Sequence, residues 1–297
     1  MKISVSVIVP FFNRSKVVSK TIESVLTQTI QDFELIIIDD CSIKSEYNRL
    51  IEIIQSYSDE RIKVIRLEKN VGGGEARNIG IRESKGDYIA FLDSDDVWVK
   101  EKLEKNLINY QDDKNIIVYS KLERISLNNV RNVIPKSEIK NKIGDYLFCE
   151  NGVIQTSSIF MEKKLALKVM FNPNLPRHQD YDFVLRAENL GLKFQMIDEA
   201  LVQWIEQNDG GGVKKGGTSK FCSGWIDEYS IYMSRKAIAN YNIKILLPIL
   251  VYEERYKIAL ELILKNIVLI SKYNIKRAVF DILKIPFMPI KKRLKNE

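Results

Sequence analysis

At 297 residues, 45% of them apolar, the chain has the composition of a soluble globular protein and the length for one domain of roughly 200 to 250 residues with an appendage. Three widely spaced cysteines, Cys41, Cys149 and Cys222, and a single histidine argue against a disulfide framework and a structural zinc site, and fit a reducing cytoplasm. The net charge of +7 is confined to the end: residues 1–222 carry 32 basic and 32 acidic side chains, whereas residues 223–297 carry 14 and 7, which argues against a nucleic-acid enzyme with a basic cleft and for an accessory surface that meets something anionic.

The chain opens with VSVIVPFFNR, where Val5, Val7, Ile8 and Val9 form a run stopped by Pro10. The run predicts a strand over Ser4–Val9, buried on both faces, then a loop and a helix over 16–28. It enters that strand without the basic and apolar regions of a secretory signal, and no apolar run reaches the roughly 18 to 20 residues of a spanning helix. The expected location is the cytoplasm. A second strand, Glu34–Ile38, ends in Asp39, Asp40 and Ser42 ahead of a helix over 47–57. Asp40 or Ser42 can cap that helix; equally, a carboxylate there can accept hydrogen bonds from a uracil imide or a ribose hydroxyl. A short strand over 62–66 leads to Gly72, Gly73 and Gly74 and a helix over 74–83 that carries Arg77 and Asn78. The glycines suit amides around a phosphate, but the run lacks the Lys and Ser or Thr of a P-loop and does not match G-x-G-x-x-G.

A strand over 88–92 then ends in FLDSDD. Asp93, Asp95 and Asp96 repel one another unless a cation or hydrogen-bond donors sit among them, and oxygen-only ligands suit Mg²⁺ or Mn²⁺, ions that also take substrate phosphates. Turn chemistry at a strand end is the competing account. Trp98 reads as a core aromatic or a sugar contact. Strands are expected near 116–119 and 155–161, with the stretch between them left open as a lining of an acceptor pocket. RHQDYDFVLRAENLG starts an amphipathic helix with Asp180 and Asp182, behind the lone histidine, His178. The glycine-rich segment Glu206–Lys220 reads as a mobile loop, either a connector or a lid bringing Lys214, Lys215, Thr218, Ser219 and Lys220 towards phosphates. Helices are expected over 224–244 and 247–283, ending before Pro286. From Lys265 to Glu297 nine basic residues face two acidic ones among apolar side chains, a pattern that suits an amphipathic segment on anionic lipid or, alternatively, packing against protein.

Alternating strands and helices imply an α/β fold with a mainly parallel central sheet and helices on both faces, Rossmann-like, and a C-terminal helical extension that begins after residue 222. Ligands of such sheets bind beyond the strands' carboxyl ends, which gathers Pro10, Asp39, Asp40, Asp93 and Asp95.

Taken in this order, the segments resemble the nucleotide-sugar domain of the family 2 inverting glycosyltransferases, of GT-A type, over roughly Ser4 to Gln203. The resemblance implies that Asp40 contacts uridine with Pro10, Phe11 and Asn13 alongside, and that Arg77 and Asn78 lie near the nucleotide. It implies Asp95 as the more direct ligand of Mn²⁺ or Mg²⁺, with Asp93 on the ribose or the metal, and Asp180 as the base that deprotonates the acceptor. Gln179 stands where relatives often carry Glu, and His178, Asp182 and Trp98 are candidates for contacts with acceptor or phosphate. The implied activity is metal-dependent, inverting transfer from a nucleotide-sugar, UDP-linked, to a hydroxyl of a glycan or lipid-linked acceptor in surface polysaccharide synthesis. A peripheral position on the inner face of the cell membrane, an anionic lipid partner for the C-terminal extension, no nucleic-acid partner, and a homo-oligomer complete the expectations. A nucleotidyltransferase of related fold competes, yet it normally carries a glycine-rich, lysine-bearing signature after the first strand, which FFNRS is not. A non-catalytic sugar-nucleotide binding module also competes, and has no use for Asp180.

Overall fold

Strands built from unbroken β-branched runs must be covered on both faces, and the fold meets that demand with a sheet between helices. The computed structural model describes residues 4–110, 115–206, 217–276 and 280. Contacts divide the chain into two compact units, Met1–Glu138 with Ile154–Asp209, and Ile139–Val153 with Gly210–Glu297. The sequence-based boundary lies after 222; here residues 139–153 group with the C-terminal segment.

The first unit holds the strands β1 (Val5–Phe11), β2 (Phe33–Asp39), β3 (Ile62–Arg66), β4 (Tyr88–Phe91), β5 (Val97–Trp98), β6 (Ile116–Ile125), β7 (Arg131–Ile134), β8 (Phe160–Glu162) and β9 (Lys193–Ile205). Among the described residues they form one sheet in the order β3-β2-β1-β4-β8-β6-β9-β5, with β7 paired to β6. β1 runs parallel to β2 and β4, β2 to β3, and β6 to β9, while β8, β5 and β7 join antiparallel. The sheet is therefore mainly parallel, as expected. β1 is fully buried apart from Pro10, and β2 is buried throughout.

Four helices connect successive strands of the first part of the chain: α1 (Val18–Leu26), α2 (Lys44–Tyr57), α3 (Gly72–Glu83) and α4 (Lys102–Asn109). The chain builds outward from β1 through β2 to β3, then returns across β1 to lay down β4. That reversal puts a crevice at the carboxyl ends of β1 and β4, the place where open α/β sheets bind ligands. α3 packs tightly on β1: a Cβ added at Gly80 would lie 2.4 Å from Ile8 Cγ2.

The second unit begins with α5 (Ile143–Cys149). Two further helices, α6 (Lys163–Val169) and α7 (Gln179–Asn189), belong to the first unit, and the described part of the second also contains α8 (Ser219–Tyr229), α9 (Arg235–Tyr241), α10 (Leu247–Tyr252) and α11 (Tyr256–Asn266). Trp225 stacks on Tyr229 and Tyr241, and Tyr241 meets Phe148 edge-on. Asn240 Oδ1 accepts from Ser271 N and Asn274 Nδ2, both at 2.8 Å, tying the helices into one core.

Several elements depart from expectation. The expected strand at 155–161 is a short 3₁₀ turn, Thr156–Ser158, followed by β8, because Gln155 Oε1 accepts from Ser157 N and curls the backbone. The sequence reading does not foresee β9, whose alternation is interrupted where its pairing with β6 shifts register at Ser120/Lys121 and again at Lys121/Leu122. The expected break near 245 is absent, since a π-helical turn, Asn242–Leu246, joins α9 to α10, and Pro248 is tolerated in the first turn of α10. The expected continuous helix over 247–283 breaks at Glu254, which adopts φ +62°. The glycine-rich residues 207–216, with Lys214 and Lys215, and the tail 281–297 lie outside the described residues.

Candidate active site

FLDSDD places its three carboxylates just past β4, each in a different environment. Asp95 forms an ion pair with Arg14, and Asp93 one with Arg77. Burial, with Asp93 next to it, raises the Asp95 pKa despite Arg14. Asp96 is 1% exposed, and burial together with Asp93 and Asp95 lifts its pKa well above the usual range. It survives there because donors surround it. Gln155 Nε2 donates to Asp96 Oδ2 at 2.8 Å, and Ser157 Oγ donates to the same oxygen at 2.7 Å. Gln155 Nε2 also reaches Asp93 Oδ2 at 3.2 Å, and the Asp93 amide donates to Ser157 Oγ at 2.9 Å. The turn before β8 is thus the cradle of the aspartate cluster.

Arg77 links this cluster to α7. Its Nη1 donates to Gln179 Oε1 at 3.0 Å, its guanidinium lies 5.3 Å from the Phe171 ring centroid, and its buried Nε has no hydrogen-bond partner among the described residues. Gln179 in turn donates to the Leu175 carbonyl at 2.8 Å. Asp180, next along α7, is half-buried; its Oδ1 accepts from the Tyr181 amide at 2.9 Å, and it lies within electrostatic reach of Asp93 and Arg77. Burial, and secondarily Asp93, raises its pKa.

On the other flank, Asp40 accepts from Val71 N at 2.6 Å and Gly72 N at 2.9 Å, so it caps the start of α3 rather than the helix that follows it in sequence. Gly72 sits at φ +82°, a conformation glycine adopts without strain. The Phe11 carbonyl accepts from Asp40 N at 2.8 Å, while the Phe11 ring is in the core. Asn13, at φ +52°, ties the two loops together: its amide donates to Ser42 Oγ at 2.9 Å and its Oδ1 accepts from Ile43 N at 3.0 Å. Pro10, near the carboxyl end of β1, is half-buried.

Four expected contacts change character. Asp182 is fully buried, with Arg186 Nε and Nη2 each 2.7 Å from one of its oxygens, so the structure pairs its charge within α7. Trp98 is 3% exposed and donates from Nε1 to the Ser157 carbonyl at 2.9 Å; it supports the cradle from the core. His178 is 4% exposed, at φ +66° before α7, and burial, with Arg177, lowers its pKa to about 3, which favours the neutral imidazole. Asn78 clamps the Phe171 backbone, donating to its carbonyl at 2.9 Å and accepting from its amide at 2.7 Å, and so holds the loop ahead of α7.

The Glycosyl transferase family 2 model matches residues 6–171, which span the crevice up to the approach to α7. The chain belongs to glycosyl transferase family 2. This glycosyltransferase is 34% identical over 248 residues to the amylovoran biosynthesis glycosyltransferase AmsB of Erwinia amylovora, covering 80% of this chain and 82% of AmsB. It is 47% identical over 105 residues to the putative teichuronic acid biosynthesis glycosyltransferase TuaG of Bacillus subtilis, covering 35% of this chain and 40% of TuaG. Its fold is similar to that of S. aureus TarS 1–349 in complex with UDP-GlcNAc, with a TM-score of 0.64 at 17% identity, over 97% of this chain and 92% of that one.

Sequence reasoning about the glycosyltransferase passes over Arg14, Gln155 and Ser157. Arg14 ends the VSVIVPFFNR run and carries charge, a usable signal. QTSS carries none, since short polar runs are ordinary loop sequence until the sheet brings this one against Asp93 and Asp96.

Proposed function

We propose that this glycosyltransferase moves a sugar, with inversion at the anomeric carbon, from a UDP-linked donor to a hydroxyl of a glycan or lipid-linked acceptor in surface polysaccharide assembly, with Mn²⁺ or Mg²⁺ at the donor phosphates. The observation that carries the reading is Asp180: a carboxylate at the first turn of α7, beside the Arg77–Asp93 pair, with a raised pKa and, among the described residues, no cationic side chain hydrogen-bonded to its oxygens. Inversion needs one base, opposite the leaving group, that removes the acceptor proton as the oxygen attacks. Asp180 takes that proton; Arg77, through Gln179, fixes the angle between α7 and the aspartate cluster.

The cluster suits a hard divalent cation. Its ligand atoms are all oxygens, burial and then the neighbouring Asp93 raise the Asp95 pKa, and Arg14 and Arg77 hold Asp95 and Asp93 at the edge of the crevice, where an ion would share their carboxylates. Among the described residues no three His, Cys, Asp or Glu side chains form a closed cage, so Asp95 and Asp93 would hold the ion together with donor phosphate oxygens. When bound, the ion supplies charge neutralisation on the departing nucleoside diphosphate. The unpartnered Arg77 Nε gives a further donor on the same side. The likeness to AmsB, of amylovoran biosynthesis, and to TuaG, a putative teichuronic acid biosynthesis enzyme, supports the polysaccharide setting, and the UDP-GlcNAc complex of TarS supports a UDP-linked donor.

Asp180→Asn is expected to lower kcat by about a hundredfold to ten-thousandfold while leaving donor affinity within a few fold. The wild type should lose activity as pH falls through the raised Asp180 pKa, because the base works ionised. Normal turnover of the variant, or retained anomeric configuration in the product by NMR, would refute the reading.

A further inference from the structure

The second unit carries an apolar face that no described residue covers. α11 turns Ala259, Ile263 and Asn266 inward and leaves Leu260 and Leu264 outside, and the following 3₁₀ turn adds Ile267 and Val268. Leu264 is 72% exposed and Val268 92%, far beyond what a side chain in a packed interface within the unit would show. Leu260 and Leu264 stand one turn apart on the same side of α11, and the exposed Ile267 and Val268 follow directly in the 3₁₀ turn. Exposed apolar side chains are common singly, but a contiguous patch marks a binding surface.

The charge around the patch selects the partner. Lys257 and Lys265 are exposed beside it on α11, and Lys272 and Lys276 follow. Against them stands Glu261; over residues 255–297 the sequence has 11 basic and 3 acidic side chains. A second copy of this chain docked on the same face by two-fold symmetry would set these lysines against their own equivalents, which disfavours a dimer there. A bilayer with anionic headgroups satisfies both features at once, with leucines at the acyl boundary and lysines at the phosphates. Tyr252 and Tyr273, each 54% exposed, are side chains of the kind that settle at that boundary. Among the described residues no helix is long and apolar enough to cross a membrane, so the element would lie in the interface plane.

We propose that Leu260, Leu264, Ile267 and Val268, flanked by Lys257 and Lys265, form a docking surface for an anionic lipid bilayer. The surface is independent of the catalytic reading, because it belongs to the second unit and is tested without donor or acceptor.

The test uses the full chain and sedimentation with vesicles of phosphatidylcholine alone or with phosphatidylserine added. Wild type should bind the anionic vesicles, bind the neutral ones more weakly, and lose the difference at high salt. The triple variant Leu260→Gln, Leu264→Gln, Val268→Gln should bind anionic vesicles at least about tenfold more weakly with an unchanged melting temperature and sedimentation state. Lys257→Gln with Lys265→Gln should weaken only the anionic binding. Equal vesicle binding by wild type and triple variant overturns the proposal, as does a wild type that binds no vesicles. A triple variant that shifts an oligomer to monomer assigns the face to a second copy, and one that melts lower assigns it to another segment of the same chain; either also overturns it.

Discussion

Asp180 and Asp182 are two residues apart on α7 and do opposite work. Asp180 is half-buried and faces the Arg77–Asp93 pair, whereas Asp182 is wholly buried and bidentate with Arg186, which also donates to the Met170 carbonyl at 2.6 Å. Removing one partner of a buried, hydrogen-bonded charge pair leaves the other uncompensated. Asp182→Asn should therefore cost about 3 kcal/mol in urea unfolding, where Asp180→Asn should cost little. Lys102 is a second buried charge. It is fully buried, stacks its Nζ 5.1 Å from the Trp98 ring centroid and donates to the Ser158 carbonyl at 3.3 Å. Burial lowers its pKa from 10.5 to about 7, so between those values the unfolded chain holds a proton that the folded chain does not. Stability should accordingly rise with pH across that window and carry the full penalty below it. Lys102→Met should remove that slope and stabilise the protein at pH 7 by on the order of 2 to 4 kcal/mol. An unchanged slope would mean the ammonium keeps its charge in the fold.

At the scale of elements, α3 is the part on which the crevice depends. Its start is capped by Asp40, its middle packs on β1 through Gly80, and its Asn78 grips the loop that leads to α7. One helix thus joins β2, β1 and α7, which is how Arg77 comes to bridge the aspartate cluster and Gln179. Gly80→Ala puts a methyl where Ile8 already lies, and should cost about 1 to 3 kcal/mol and raise donor KM as α3 moves off β1. Pairing it with Ile8→Val, which removes a methyl from the crowded side chain, should recover part of the loss. If the single variant is as stable as wild type, α3 is not held by this contact.

At the scale of the whole molecule, a ligand that binds only the folded first unit must stabilise it by mass action. A nucleoside diphosphate with Mn²⁺ at about a hundred times its dissociation constant should contribute about 2.7 kcal/mol. The melting temperature should rise with both present and not with UDP in chelator. Asp95→Ala should abolish that shift while melting close to wild type, because its side chain, 21% exposed, pairs with Arg14 at the crevice and not in the core. A shift that persists in chelator would remove the metal from the proposed function.

The β-branched runs, the carboxylates that end them and the helix carrying Asp180 are local features, and they suffice to read an α/β sheet and its family. Strand and helix periods are written in neighbouring residues, and the rule that ligands sit at strand carboxyl ends needs no coordinates. What neighbouring residues cannot encode is which partner a polar group meets across the sheet. Asp40 and Ser42 looked like caps for α2, yet Asp40 caps α3, some thirty residues on, because β1, β2 and the start of α3 converge. Asp182 and Arg186 stand four apart on α7, a pairing the sequence spacing itself allows, whereas the closeness of Asp180 to Arg77 and Asp93 arises only when α7 packs beside α3 and the end of β4. Gln155 and Ser157 became visible as the cradle of Asp93 and Asp96 only when the turn before β8 was set beside β4 by antiparallel pairing. Long-range hydrogen bonds and burial decide these roles, and both are properties of the folded chain.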